Sequence, residues 1–174
     1  MTVLKTNAAL PDPRFDIPTR LLIVASGNDD ITEKLVTEAR AAIVSAGARS
    51  EVIELSRVLE IPTAIRLANA AGCYDGYVAL GGIIRQQHAH YKIIRNTAYQ
   101  GLILLGGEGI CIGNGIIALK NPKNAKSIGH DAALAAMHLI AIKRRFTNPS
   151  SGRIAPASEH ILMAGNTGKP RGNT

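Results

Sequence analysis

Residues 21–47 read LLIVASGNDDITEKLVTEARAAIVSAG, and the fold follows from this stretch. Leu21-Leu22-Ile23-Val24 is a short apolar run of buried-strand length, without the alternation of a half-exposed strand. Ser26-Gly27-Asn28 is a small polar turn. Asp30-x-x-Glu33 then gives a helix start of capping-box type. Ile31, Leu35, Ala39, Ala42, Ile43 and Ala46 recur at helical spacing until Gly47 stops the helix. A buried strand feeding an amphipathic helix is the repeating unit of an α/β domain.

Outward from this stretch the unit recurs. Glu51–Leu55 alternates polar and apolar residues as a second strand, and Pro62 sits in the first turn of a helix that reaches Ala71 before Gly72. Tyr77-Val78-Ala79-Leu80 is a third strand, continuing past two glycines through Ile83-Ile84. A helix over Tyr91–Leu105 carries Ile94, Ala98, Gly101, Leu102 and Leu105 on one face. Ile110–Ile117 is a fourth strand, and His130–Arg145 a helix with Ala133, Ala136, Met137 and Ile140 on its apolar side. Four strand–helix repeats predict an α/β fold with right-handed crossovers and a four-stranded parallel sheet covered on both faces. Residues 1–19, with Pro11, Pro13 and Pro18, read as a flexible arm with one extended segment available to lie on a neighbour. The folded body is 20–146. Residues 147–174 are rich in Gly, Pro, Ser and Asn and read as a disordered tail.

Composition narrows the function. The chain has 174 residues, which suits one domain, and 46% are hydrophobic. Aromatic residues make up only 3%, so the core is aliphatic and any ring-stacking site is short of rings. No signal-peptide pattern opens the sequence, and no apolar run nears the roughly 18 residues of a membrane span. Both point to the cytoplasm and away from a membrane. Cys73 and Cys111 form no C-x-x-C pair and are expected as buried free thiols. The net charge of +7 invites nucleic acid, but the cations are scattered apart from Lys143-Arg144-Arg145, which closes a predicted helix. A solvated helix end is the first reading, attraction of anionic substrates the second and nucleic acid the third.

In open parallel sheets ligands bind beyond the carboxyl ends of the strands. That rule selects four loops: Ser26–Asp29, Ser56–Glu60, Arg85–His90 and Asn114–Asn121. Arg85-Gln86-Gln87-His88-Ala89-His90 places a cation, two amides and two imidazoles before a helix. Imidazole exchanges protons near neutral pH, which suits an acid/base or anion site. A polar helix cap is the bland alternative. His88 and His90 as metal ligands come last, since no carboxylate or cysteine lies close in sequence. Glu60, between Leu59 and Ile61-Pro62, is either a ligand for hydroxyls or a first-turn acid facing the helix dipole. Gly113-Asn114-Gly115 either lets backbone approach a planar ligand or marks a kink or bulge.

Several segments together, in order and at matching spacings, resemble the lumazine synthase family. They are LLIVASGNDDIT, LEIP, YDGYVALGGIIRQQHAHY, NTAYQGL and IGNGIIALKN, spanning about Arg20 to Phe146. The family's GNGILT segment is matched by Gly113-Asn114-Gly115-Ile116-Ile117-Ala118. Its V-I-R-G-x-T-x-H-[FY] segment is matched by Ile83-Ile84-Arg85 and His90-Tyr91. The resemblance implies a flavodoxin-like three-layer αβα sandwich, assembled as pentamers or pentamer-based capsids. It implies condensation of 5-amino-6-(D-ribitylamino)uracil with 3,4-dihydroxy-2-butanone 4-phosphate in riboflavin biosynthesis, a transferase reaction with no metal and no organic cofactor. The family's acid/base histidine falls on His90. Its substrate contacts fall on Gly27, Asn28, Val58, Leu59, Glu60, Ile83 and Ile84, its phosphate loop on Gln86-Gln87-His88, and backbone facing the heterocycle on Ile112–Asn114. Sites form between subunits, so an isolated monomer is expected to be inactive.

This chain departs from the family pattern at the site. The stacking aromatic falls on Gly27 and the arginine before it on Ser26. The Pro-Gly-Ala turn reads Ser56-Arg57-Val58, and the G-x-T loop reads Gln86-Gln87-His88. The segment after Asn121 is shortened, the phosphate-binding arginine has no counterpart, and the family lysine falls on Ile128. The sequence therefore carries two readings: an active synthase, or a catalytically impaired homologue serving as an oligomeric assembly or ligand-binding protein.

Overall fold

Strand β1 (Arg20–Ser26) is buried at every position after its first, so the chain must supply cover on both of its faces and partners on both of its edges. In a computed structural model, which describes residues 13–27, 29–84, 90–119 and 127–147, it does so with a four-stranded sheet. The elements are β1, α1 (Asp30–Ser45), β2 (Arg49–Leu55), a short 3-10 helix (Val58–Glu60), α2 (Ile61–Ala70), β3 (Gly76–Ile84), α3 (Tyr91–Gly107), β4 (Ile112–Leu119) and α4 (Ile128–Thr147). The sheet order is β2-β1-β3-β4 and every pairing is parallel. Readings that concern residues 1–12, Asn28, Gln86, Gln87, His88 and 148–174 fall outside the described residues.

Alternate residues of β1 enter two separate cores. Leu21, Ile23 and Ala25 join Leu35, Ala39 and Ile43 of α1 and Ala133, Ala136, Met137 and Ile140 of α4. Leu22 and Val24 join Val58, Ile61 and Ile65 with Ala98, Leu102 and Leu105 of α3. Helices thus cover both faces, giving the three layers expected. Each fully buried aliphatic side chain contributes about 1.5–3 kcal/mol.

Helix α1 starts one residue earlier than the sequence suggested. Asp29 is the N-cap, its Oδ1 accepting the Thr32 backbone N–H at 2.8 Å, while Asp30 and Glu33 are acids of the first turn. Cys111 is buried but Cys73 is exposed, because the turn after α2 lies on the surface. The basic cluster closing α4 does more than complement a dipole. Lys143 Nζ donates to the Gly109 carbonyl at 3.0 Å. Arg144 donates to Asp75 Oδ1 at 2.9 Å and Thr19 Oγ1 at 2.8 Å, and its guanidinium lies over the Phe15 ring. Asp75 Oδ2 in turn accepts the Arg20 backbone N–H at 2.9 Å. The starts of β1 and β3 and the end of α4 are therefore pinned at one carboxylate.

At the same end Tyr77 is 1% exposed, and its buried hydroxyl has no hydrogen-bond partner among the described residues. Burial pushes its phenol up to about 12. The folded value lies above the unfolded value near 10, so the fold gains stability from neutral Tyr77 below pH ~10 and loses it as pH rises toward ~12. An orphaned buried hydroxyl costs about 1–3 kcal/mol. Tyr77→Phe is expected to be neutral or stabilising by about 1 kcal/mol at pH 7 and to diminish the alkaline loss, checked by urea melts at pH 7 and pH 11. Marked destabilisation at pH 7 would show that the hydroxyl has a partner.

Candidate active site

The parallel register puts three strand ends side by side. Ser26 stands opposite Leu55 on one side and Gly81 on the other. Gly27 follows at φ +100°, and its N–H donates to the Leu55 carbonyl at 3.2 Å, tying the exit of β1 to that of β2. Thr32 Oγ1 donates to the Ser26 carbonyl at 3.1 Å, so the first turn of α1 holds this exit from the other side.

The exit of β2 turns directly into the 3-10 helix. Glu60 Oε2 accepts the Arg57 backbone N–H at 3.2 Å, and the Glu60 N–H donates to the Arg57 carbonyl at 3.1 Å. The carboxylate thus fixes its own turn with one oxygen. Val58 is buried above Gly81, where a Cβ would lie 3.2 Å from Val58 Cγ2. Leu59 remains 46% exposed and is the apolar side chain of this turn open to a ligand.

Strand β3 runs three residues past Gly81, to Ile84, alongside β4. Ile83 is buried in the cluster that also holds Val58, and Tyr91 and Ile94 at the start of α3 pack on the same cluster. His90 caps α3 through its backbone, its carbonyl accepting the Ile94 N–H at 3.1 Å, while its side chain makes no capping bond. The residue is exposed. Gly27, Val58, Leu59, Glu60 and Ile83 thus converge on one rim, with His90 opening the helix that packs beneath it. Among the described residues no three His, Cys, Asp or Glu side chains converge as metal ligands.

Ile112 and Asn114 both lie within β4. They stand opposite Tyr77 and Ala79, as the fourth strand Ile110–Ile117 implied, so Asn114 does not belong to the loop Asn114–Asn121 that follows the strand. The glycines, read as either an approach for a planar ligand or a kink or bulge, meet a packing demand. A Cβ on Gly113 would lie 1.8 Å from the Ala132 carbonyl oxygen of α4. Asn114 is exposed on the outer edge of the sheet, where its Oδ1 accepts the Ile116 N–H at 3.0 Å. Tyr99 of α3 donates to the Ile116 carbonyl at 2.6 Å. Sequence reading missed this pair; the only signal was a polar residue between glycines. Beside it lies a groove of about 530 Å³ lined by Leu102, Ile103, Ile112, Asn114, Leu139 and Ile142 among others.

The model of the 6,7-dimethyl-8-ribityllumazine synthase family matches residues 18–144, which takes in every described element of this rim. The chain belongs to that family. Among its relatives, the 6,7-dimethyl-8-ribityllumazine synthase of Jannaschia sp. (strain CCS1) is 37% identical over 146 residues, covering 79% of this chain and 82% of the relative. The protein of the same name from Novosphingobium aromaticivorans is 38% identical over 135 residues, 73% of this chain and 97% of the relative. That of Erythrobacter litoralis is 36% identical over 134 residues, 72% and 96%.

Within this lumazine synthase scaffold Gly27 is not a neutral replacement for an aromatic. Its φ of +100° strains any L side chain, and a Cβ would lie 3.1 Å from Thr32 Oγ1. Gly27→Phe is expected to cost about 1–2 kcal/mol, seen as a fall in melting temperature of roughly 3–8 °C. An unchanged melting temperature would mean that the turn adopts another backbone conformation.

Proposed function

We propose that this chain is a cytoplasmic 6,7-dimethyl-8-ribityllumazine synthase, condensing 5-amino-6-(D-ribitylamino)uracil with 3,4-dihydroxy-2-butanone 4-phosphate in riboflavin biosynthesis. The observation carrying this reading is the family match over residues 18–144, combined with an exposed His90 whose side chain does not cap α3. Joining an aromatic amine to a ketone and expelling phosphate and water requires protons to move at several steps. His90 moves them, and the reaction uses no metal and no organic cofactor.

Glu60 binds a ribityl hydroxyl through the carboxylate oxygen that does not brace its turn. Gly27 and Asn28 approach the pyrimidine with backbone, and Leu59 supplies apolar contact in place of the missing ring. Ile83 and Ile84 form the floor. Gln86, Gln87 and His88 bind the phosphate ahead of the positive end of α3.

Ile112 and Asn114 lie on the outer edge of β4, so they act on the site of a neighbouring subunit in a homo-oligomer, a pentamer or a pentamer-based capsid. The exposed apolar side chains Ile103, Leu104, Leu139 and Ile142 support that assembly, since a monomer rarely leaves such a surface uncovered.

Two measurements test the reading. His90→Ala is expected to lower turnover of the two substrates about 10²- to 10⁴-fold while the protein stays folded; wild-type protein without turnover would overturn the function. Ile103→Asp, which puts a charge in the groove, is expected to reduce the mass seen by light scattering and the activity together. An unchanged mass would place the subunit contact elsewhere.

A further inference from the structure

Gly101 lies inside α3, where glycine is disfavoured by roughly 1 kcal/mol relative to alanine. Something else must favour it there. A Cβ at this position would lie 2.8 Å from Pro62 Cγ and 2.9 Å from Pro62 Cβ. A proline ring cannot rotate aside as a long side chain would. The backbones of α2 and α3 therefore approach as closely as they do because residue 101 has no side chain.

The two helices carry different parts of the site. Pro62 is in the first turn of α2, directly after Val58, Leu59 and Glu60, with no loop between to absorb a shift. His90 opens α3, about three turns before Gly101. The anchoring of the helices is unequal. Helix α3 is held by buried Ala98, Leu102 and Leu105 and by the Tyr99–Ile116 hydrogen bond. Helix α2 buries only Ile61 and Ile65. A side chain at 101 would displace the lighter unit, and Glu60 would travel with it.

We infer that Gly101 is a positioning residue: its contact with Pro62 sets the distance between the turn bearing Glu60 and the helix bearing His90. The role concerns the site proposed above and rests on that assignment. Neither residue touches substrate.

Gly101→Ala tests it, with Pro62→Gly as the compensating change, since glycine removes both atoms that a Cβ would meet. Gly101→Ala is expected to fold and to assemble. Its kcat/KM per folded protein should fall about 10- to 100-fold, as expected for a displacement of about 1 Å at a site. The Gly101→Ala/Pro62→Gly double variant should recover most of that loss. A purely structural role would change the melting temperature, leave kcat and KM per folded protein unaltered, and give no recovery. Crystal structures of wild type and Gly101→Ala provide a readout independent of turnover. The Glu60-to-His90 Cα separation is expected to grow by about 1 Å, the displacement assumed above. An unchanged separation would overturn the inference. Wild-type protein without synthase activity would instead overturn the proposed function, with the separation still deciding the role of Gly101.

Discussion

The structure depends on the complete burial of β1. Leu21 through Ala25 are 0–2% exposed, on both sides of a strand that also has a partner at each edge. A strand in that position leaves no face for solvent, so both faces are covered, here by helices, and its neighbours are parallel, which requires the crossovers that those helices supply. The exits of β1, β2 and β3 then fall at one end of the sheet. The rim is a consequence of apolar packing, and two of its members, Val58 and Ile83, belong to the core that packs on β1.

Most of this architecture was legible in the sequence because it is periodic. The apolar stripe of α4, Ala133, Ala136, Met137 and Ile140, is buried as its spacing requires. The short run at Leu21–Val24 is the centre of the sheet. Reading failed where one residue serves two purposes. Asp29 and Asp30 are both acids before a helix, and only the backbone of Asp29, extended at φ −125° and ψ 161°, makes it the cap. Gly113-Asn114-Gly115 was rightly read within a strand, but the reason for its glycines was left open between ligand approach and a kink or bulge, and Gly113 is there because α4 passes too close for a side chain. That closeness is a tertiary fact with no local signature.

The site was legible in part for the same reason. Positions read from strand ends, Gly27, Val58, Glu60 and Ile83, do meet on one rim, because register alone brings them there. Their roles were less visible. Glu60 was read as either a ligand or a helix-dipole acid, and it proves to brace its own turn with one oxygen. Asn114 belongs to a different surface altogether. The residues associated with one site are divided within a single chain between the rim of the sheet and its outer edge, and such a division is natural where two subunits complete each other's pockets.

The sealing of Ile116 has a bearing on how the chain behaves before it meets a neighbour. An edge strand with free backbone groups is a template on which another strand, from any chain, can add. At Ile116 the amide hydrogen is taken by Asn114 and the carbonyl oxygen by Tyr99, both from within the same subunit. At Ile116, therefore, a further strand finds neither backbone group free to pair with.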